Sequence, residues 1–97
     1  MSDSKDFSRL DLSGANLTGT KLVGADLAGT ILVGATLAGA DMRWASLFRA
    51  DLSGSSLHSA NLEAADLRWA NLSNADLRRA ILDNVKLPRG WKLVRDE

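Results

Sequence analysis

The side chains that could do chemistry in this chain are carboxylates, one histidine, and a group of tryptophans and arginines. Asp or Asn recurs at intervals that are multiples of five residues, and carboxylates brought together by such a repeat can bind a cation. His58 is the only histidine, and the chain has neither cysteine nor tyrosine. A nucleophile with its base, or a zinc–thiolate site, cannot be assembled from this set. The sequence therefore predicts a protein that is not an enzyme and that holds no metal or other cofactor.

Large apolar residues occupy every fifth position from Phe7 to Leu87 without a change of register. Seventeen consecutive positions carry fifteen leucines, with Phe7 and Met42 as the exceptions. In an α-helix, a step of five residues would rotate the stripe by about 140°, so that the leucines would spiral around the helix. In a continuous strand, the odd spacing would send successive leucines to opposite faces. The period instead predicts short extended pieces separated by turns, which wind around an axis to which every leucine points.

Two other positions of the five-residue unit are also restricted. A small residue, most often Ala, lies two places before fourteen of the seventeen central apolar residues, which predicts that small side chains fill the corners of the core. Asp or Asn often lies immediately before the leucine, where a short side chain can accept a hydrogen bond from a turn amide. The residues in this second position are Asp11, Asn16, Asp26, Asp41, Asp51, Asn61, Asp66, Asn71 and Asp76.

The position two places after the leucine predicts where the chain turns. Gly or Asn occupies it in nine units, and both residues tolerate the positive φ that the third position of a type II turn requires. In the other eight units positive φ would be strained, which predicts a different type of turn there. Those eight positions hold Arg9, Trp44, Arg49, Ser59, Ala64, Trp69, Arg79 and Arg89.

The repeated unit, Ala-(Asp or Asn)-Leu followed by two variable residues, resembles the motif of the pentapeptide repeat family. Intact copies begin at Ala15, Ala25, Ala50, Ala60, Ala65, Ala70 and Ala75. The resemblance implies an all-β fold, a right-handed quadrilateral β-helix with four pentapeptides, or about twenty residues, per coil. We therefore expect a β-helix of about four coils over residues 5–87, with a lead-in at residues 1–6 and a tail at residues 88–97.

Twenty residues per coil would place aromatic and arginine side chains of different coils next to one another. One interpretation is that guanidinium–ring pairs hold adjacent coils together, each contributing roughly 0.5–1 kcal/mol when exposed. The other interpretation is a surface for a protein partner, since these residue types are enriched at binding hot spots. The residues of this predicted surface are Trp44, Phe48, Arg49, Arg68, Trp69 and Arg89.

The repeat ends at Pro88, and an apolar tail follows it. A β-solenoid leaves unpaired backbone and core side chains at its ends, so we expect the tail to fold over the last coil as a cap. The alternative is a homodimer contact, since members of the family that the chain resembles are often dimers through their C-terminal ends. The residues expected in either role are Trp91, Leu93 and Val94.

Composition and charge exclude several functional classes. Twelve Lys and Arg balance twelve Asp and Glu, and the pI is near 6.6, which argues against nucleic-acid binding. No segment has the length and hydropathy of a membrane-spanning helix or an export signal. We therefore expect a cytoplasmic protein that does not associate with a membrane.

The sequence thus predicts a non-enzymatic protein-interaction or scaffold module, with a protein partner that the residues do not identify. The resemblance also implies an alternative, a modulator of DNA gyrase whose acidic, rod-like surface mimics duplex DNA. Zero net charge and a length of 97 residues argue against this alternative, because such mimicry needs dense negative charge along an extended rod.

Overall fold

The computed structural model describes residues 5–93, in which single β-bridge residues alternate with turns every five residues. Within these residues there is no helix, and no bridge extends into a continuous strand. Thirteen parallel bridges join residues twenty positions apart, from Asp6 with Asp26 to Asp66 with Lys86. The chain therefore winds in coils of twenty residues, and equivalent positions of successive coils lie side by side.

Backbone hydrogen bonds between coils hold this stack together. From Phe7 to Leu67, the amide of each central apolar residue donates to a carbonyl of the next coil. The amide of Leu47, for example, donates to the Asp66 carbonyl at 2.7 Å, and the Asp66 amide donates back to the Ala45 carbonyl at 2.9 Å. These paired bonds satisfy the backbone groups of the coil walls, which is why short bridges suffice in place of long strands.

The hydrophobic core is a column of large side chains along the axis of the coils. The central residues from Leu22 to Leu72 are buried, whereas those nearer the two ends, such as Leu12 and Leu82, are only partly buried. Because each coil covers the core of its neighbours, the end coils leave part of their apolar surface open. The core predicted from the five-residue period is confirmed.

Small residues fill the corners of the core beside this column. Ala40 and Ala60 are fully buried, and most other alanines at the same position are nearly so. Thr30 and Ser55 take this position in two units, where their hydroxyls donate to backbone carbonyls at 2.7 Å. Their polar atoms are therefore satisfied inside the core, and the predicted column of small side chains is confirmed.

The corners overturn one prediction from the sequence. A different turn is predicted where Gly and Asn are missing, yet seven of those eight corner residues have φ between 58° and 64°. At one of them the Trp44 amide donates to the Glu63 carbonyl at 3.0 Å, and the Ala45 amide donates to the Met42 carbonyl at 3.1 Å. The Gly24 corner makes the same two bonds. These bonds fix the turn whatever residue occupies the corner, so the stack overrides the local preference. The seven residues are Arg9, Trp44, Arg49, Ser59, Ala64, Trp69 and Arg79.

The eighth of those corners, at the end of the repeat, is displaced by one residue. The turn there lies at Arg89 and Gly90, and positive φ, at 88°, belongs to Gly90. The Trp91 amide closes this turn by donating to the carbonyl of the buried Pro88 at 3.1 Å. Leu87 is therefore the last residue to keep the five-residue register.

We expect Ser59→Gly to raise the free energy of unfolding by about 0.5–1 kcal/mol. Left-handed backbone costs an ordinary residue about 1–2 kcal/mol, and the extra flexibility of unfolded glycine offsets only part of this gain. The reverse change, Gly34→Ala, should destabilise by a similar amount, because a Cβ at Gly34 meets nothing within 4 Å and only the backbone strain changes. Urea denaturation of both variants measures the two effects, and a destabilised Ser59→Gly would contradict this explanation.

Candidate partner-binding surface

One wall of the solenoid gathers four of the side chains that the sequence singles out. We call this wall the arginine wall, and it consists of residues 5–9, 25–29, 45–49, 65–69 and 85–88. On it, the guanidinium carbon of Arg49 lies 5.4 Å from the centroid of the Phe48 ring and 5.7 Å from that of the Trp69 ring. The guanidinium carbon of Arg68 lies 5.7 Å from the Phe48 ring. Arg49 therefore links a ring of its own coil to a ring of the next coil.

The two tryptophans of the predicted surface expose most of their area to solvent. Trp69 is 62% exposed although it contacts Arg49, and Trp44 is 70% exposed. Trp44 lies at the corner before the arginine wall, beside a depression of about 380 Å³ that Glu63 and Lys86 also line. Within residues 5–93, Trp44 takes part in no cation–π contact. Most of the Trp44 side chain is therefore open to solvent.

Arg89 lies apart from this cluster. Repeats of twenty residues predict that Arg89 continues the column of Arg49 and Trp69, but the shift of the last turn moves it out of register. Arg89 is exposed, and among the described residues no cation–π contact joins it to Trp69. The structure therefore brings together Phe48, Arg49, Arg68 and Trp69, with Trp44 and Arg89 at the edges.

Three arginines are held by a carboxylate two residues earlier in the chain, a feature that the sequence analysis missed. In each pair the Nε and one terminal nitrogen of the arginine donate to the two carboxylate oxygens at 2.8–2.9 Å. The spacing Asp-x-Arg in the sequence is the signal that would have revealed them. The pairs are Asp41 with Arg43, Asp66 with Arg68, and Asp76 with Arg78.

The pair on the arginine wall also fixes one member of the cluster. The fork between Arg68 and Asp66 orients the guanidinium that lies over the Phe48 ring. The hydrogen bond from the Arg68 side chain is the main reason that the pKa of Asp66 lies below its ordinary value, and partial burial opposes it. Asp66 is therefore a charged anchor that holds the Arg68 guanidinium in place over the Phe48 ring.

The repeated Asp and Asn side chains are engaged in turns and do not converge on a metal site. All nine accept a hydrogen bond from the amide two residues later, as Asp26 does from Ala28 at 3.0 Å. The predicted bonding to turn amides is confirmed. No group of three or more His, Cys, Asp or Glu side chains within residues 5–93 is arranged to hold a metal ion.

The comparison with known families decides the identity of this fold. The family model for pentapeptide repeats matches eight copies over residues 11–47 and 45–87. The chain belongs to the pentapeptide repeat family. The resemblance noted in the sequence is thereby confirmed, and the match covers most of the coils seen in the structure. A comparison with curated protein sequences finds no significant match.

Two solved pentapeptide repeat proteins are similar to this one along most of its length. A protein from Nostoc is 37% identical, with alignment over 92% of this chain and 78% of that chain and a TM-score of 0.81. A protein from the thylakoid lumen of Arabidopsis thaliana is 33% identical, with alignment over 84% of this chain and 60% of that chain and a TM-score of 0.74. Pentapeptide repeat proteins are right-handed quadrilateral β-helices, and this chain shares that architecture.

The tail of this pentapeptide repeat protein is only partly described. Trp91 and Leu93 are each about half exposed, whereas Pro88 is buried against the last coil. Val94, the third apolar residue predicted for a cap or a dimer contact, lies outside the described residues. Separately, residues 5–93 contain no helix with the length and apolar character needed to span a bilayer.

The pentapeptide repeat protein should lose stability in acid. Hydrogen bonds from Arg78 lower the pKa of Asp76, and bonds from Ser8 and Ser13 lower those of Asp6 and Asp11. A carboxylate whose pKa is lower in the folded than in the unfolded chain favours folding above the unfolded value, which is 3.8 for these aspartates. That contribution disappears as the pH falls through the folded pKa.

Thermal denaturation followed by circular dichroism should therefore give a midpoint that stays level from pH 7 to about pH 5 and falls below about pH 4. A variant in which Asp41, Asp66 and Asp76 are all replaced by Asn should show a shallower acid decline. A thermal midpoint that rises below pH 4 would contradict the claim that the pKa values of these aspartates are lower in the folded than in the unfolded chain.

Proposed function

We propose that this pentapeptide repeat protein is a non-enzymatic interaction module, in which about four rigid coils present one surface to a protein partner. The observation that carries the proposal is the exposure of Trp44 and Trp69, at 70% and 62%. Large aromatic side chains of this kind supply much of the binding energy at protein interfaces. The proposed surface, called the aromatic surface below, consists of Trp44, Phe48, Arg49, Arg68, Trp69 and Arg89.

The two tryptophans of the aromatic surface occupy strained corners but differ in their contacts. Both occupy corners with φ of 63° and 64°, where Gly or Asn would be less strained and stands in other units. Ser59, Ala64 and Arg79 share this backbone conformation outside the aromatic surface, so the contacts of the two tryptophans, and not their strain, bear on function. Guanidinium–ring pairing between coils explains the presence of Trp69, which contacts Arg49. It does not explain the presence of Trp44, which contacts no guanidinium among the described residues. A partner surface accounts for both.

Mimicry of duplex DNA gains no support from the distribution of charge. The wall with the most negative net charge, residues 10–14, 30–34, 50–54 and 70–74, carries only Asp11 and Asp51, and no wall carries more than three carboxylates. A duplex presents one negative charge about every 1.7 Å of its length, far denser than two carboxylates on a wall. We therefore favour an ordinary protein interface over the gyrase alternative.

Capture of partners from the source cell tests the proposed function. We expect the wild-type protein to retain a protein that is lost with Trp44→Ala and with the double variant Trp69→Ala, Arg49→Ala. Trp44→Ala is the sharper variant, because it removes a ring that is 70% exposed without breaking a guanidinium–ring pair between coils. Ile81→Ala, which removes an exposed apolar side chain outside both the aromatic surface and the tail, serves as the control and should retain the partner.

Circular dichroism confirms that each variant is folded before it is used. If folded wild type and both variants capture the same proteins equally, the aromatic surface is only structural and the proposed function is wrong.

A further inference from the structure

Zero net charge for the whole chain conceals a cationic wall. The arginine wall carries five Lys and Arg residues against three aspartates, a net charge of +2. The wall that follows it in the chain, described above, carries two aspartates and no Lys or Arg, a net charge of −2. The cations of the arginine wall are Lys5, Arg9, Arg49, Arg68 and Lys86, and its anions are Asp6, Asp26 and Asp66.

A depression of about 470 Å³ lies on this wall between two of the arginines. Arg9 and Arg49 occupy the same corner two coils apart, which is about 10 Å at the usual spacing of adjacent strands. The corner between them is Gly29, so no side chain separates them, and Ala28 and Phe48 complete the lining with Ser8 and Asp26. Arg9 extends over this glycine, since its Cγ lies 3.4 Å from where a Gly29 Cβ would be.

Neither of these arginines is neutralised by the part of the chain that the structure describes. Arg43, Arg68 and Arg78 each pair with an aspartate, whereas Arg9 and Arg49 have no carboxylate within 4 Å among residues 5–93. No hydrogen bond ties their guanidinium groups to residues 5–93 either. Two guanidinium forks therefore remain free to bind carboxylates in the bidentate geometry that favours arginine.

We propose that the partner segment bound on the arginine wall is an acidic peptide, an inference that rests on the proposed interaction function. Carboxylates of the peptide pair with Arg9 and Arg49. Apolar side chains between those carboxylates pack on the floor of Ala28 and Gly29 and against the edge of the Phe48 ring. The positive wall thus selects the charge of the partner, and the exposed tryptophans beside it supply apolar contact.

The aspartates on the same wall favour a peptide over a nucleic acid. Asp26 lines the depression itself, and Asp6 and Asp66 lie in its column. A phosphate backbone carries a charge on every nucleotide and would meet these carboxylates, whereas a peptide can place neutral residues opposite them. The pI near 6.6 is also far from the basic values typical of nucleic-acid-binding domains.

Fluorescence anisotropy with defined peptides tests this inference. The probes are fluorescein-labelled (Glu-Glu-Leu)4 and its neutral counterpart (Gln-Gln-Leu)4, titrated with the full-length protein at low and moderate salt. We expect binding of the acidic peptide only, weakening as salt rises, because the pairs are exposed and screened. The double variant Arg9→Gln, Arg49→Gln should weaken binding about tenfold, since it removes two exposed charge pairs that each account for about threefold.

The control variant is Lys21→Gln, Arg79→Gln, which removes two charges from other walls. Arg79 occupies a corner with φ of 62°, the same backbone conformation as Arg49, so the substitution imposes equal strain. This control should change affinity by about twofold at most, through the lower overall charge alone. Arg9→Gln by itself, which leaves the guanidinium–ring pairs intact, should weaken binding about threefold.

Several results would overturn the inference. One is a peptide that does not bind, and another is equal weakening by the two double variants. Tighter binding of a 12-base-pair DNA duplex than of the acidic peptide, with the same dependence on Arg9 and Arg49, would identify a nucleic-acid surface instead. In each of these cases, capture that depends on Trp44 would still support the proposed function, so the two proposals fail separately.

Discussion

Replacing Leu52 with aspartate is expected to prevent the protein from folding. Leu52 is 0% exposed, lies on the axis of the coils, and has coils above and below it. A carboxylate there has no partner within the apolar column, and burying an unpaired ion costs several kcal/mol. That cost approaches the whole stability of a small domain, about 5–15 kcal/mol. Far-UV circular dichroism should show no cooperative thermal transition for Leu52→Asp.

Two control variants distinguish the effect of the buried site from the effect of the chemical change itself. Leu10→Asp makes the same chemical change at a side chain that is 45% exposed and should remain folded. Leu52→Met should cost less than about 1.5 kcal/mol, because it conserves volume. Met42 already occupies an equivalent buried position in another coil. A cooperatively folding Leu52→Asp protein would contradict the assignment of this column to the core.

Enlarging a buried corner residue has the second-largest expected effect. Ala60 is fully buried beside the leucine column, and neighbouring coils leave no room for a longer side chain. Ala60→Leu should lower the free energy of unfolding by about 2–3 kcal/mol, within the range measured for overpacked cores. For a domain of this size, this corresponds to a thermal midpoint about 10–20 °C lower.

The matched control is Ala38→Leu, in which the same side chain is added at a partly exposed position on an outer wall. Its midpoint should change by only a few degrees, because the added atoms extend into solvent. If the two variants have equal midpoints, packing at the corners does not limit stability, and the explanation for the alanine column is wrong.

The core could be predicted from the sequence because its buried residues recur at a fixed spacing of five positions. A leucine at every fifth position requires a coil, and alanine two places earlier marks a corner, whatever the neighbouring coils contain. The turns could not be predicted in the same way. The φ of Trp44 depends on the bond from its amide to Glu63, nineteen positions away, and no local preference reveals that bond. Tertiary hydrogen bonds decided the conformation of a residue that is intrinsically unsuited to it.

The contacts of the aromatic surface were predictable to the extent that the coil length was known. A repeat of twenty residues places Trp69 next to Arg49, and the structure shows that contact at 5.7 Å. The same arithmetic misplaces Arg89, because Pro88 begins a shifted turn. The depression at Arg9 was missed for another reason. The net charge of the whole chain is a sum over walls that face different directions. The charge of each wall can be counted only after the twenty-residue register has assigned every residue to its wall.

The twenty-residue coil also limits how such a protein can change in length. Inserting or deleting one five-residue unit would keep the leucines on the axis but would rotate all later residues by a quarter revolution. Insertion of a unit between Gly29 and Arg49 would carry Arg49 to a different side of the rod from Arg9, although the fold would survive. Gain or loss of twenty residues would instead leave every side aligned. The fold should therefore remain stable after insertion or deletion of any multiple of five residues. A recognition surface formed by several coils should remain intact only when the insertion or deletion is a multiple of twenty residues.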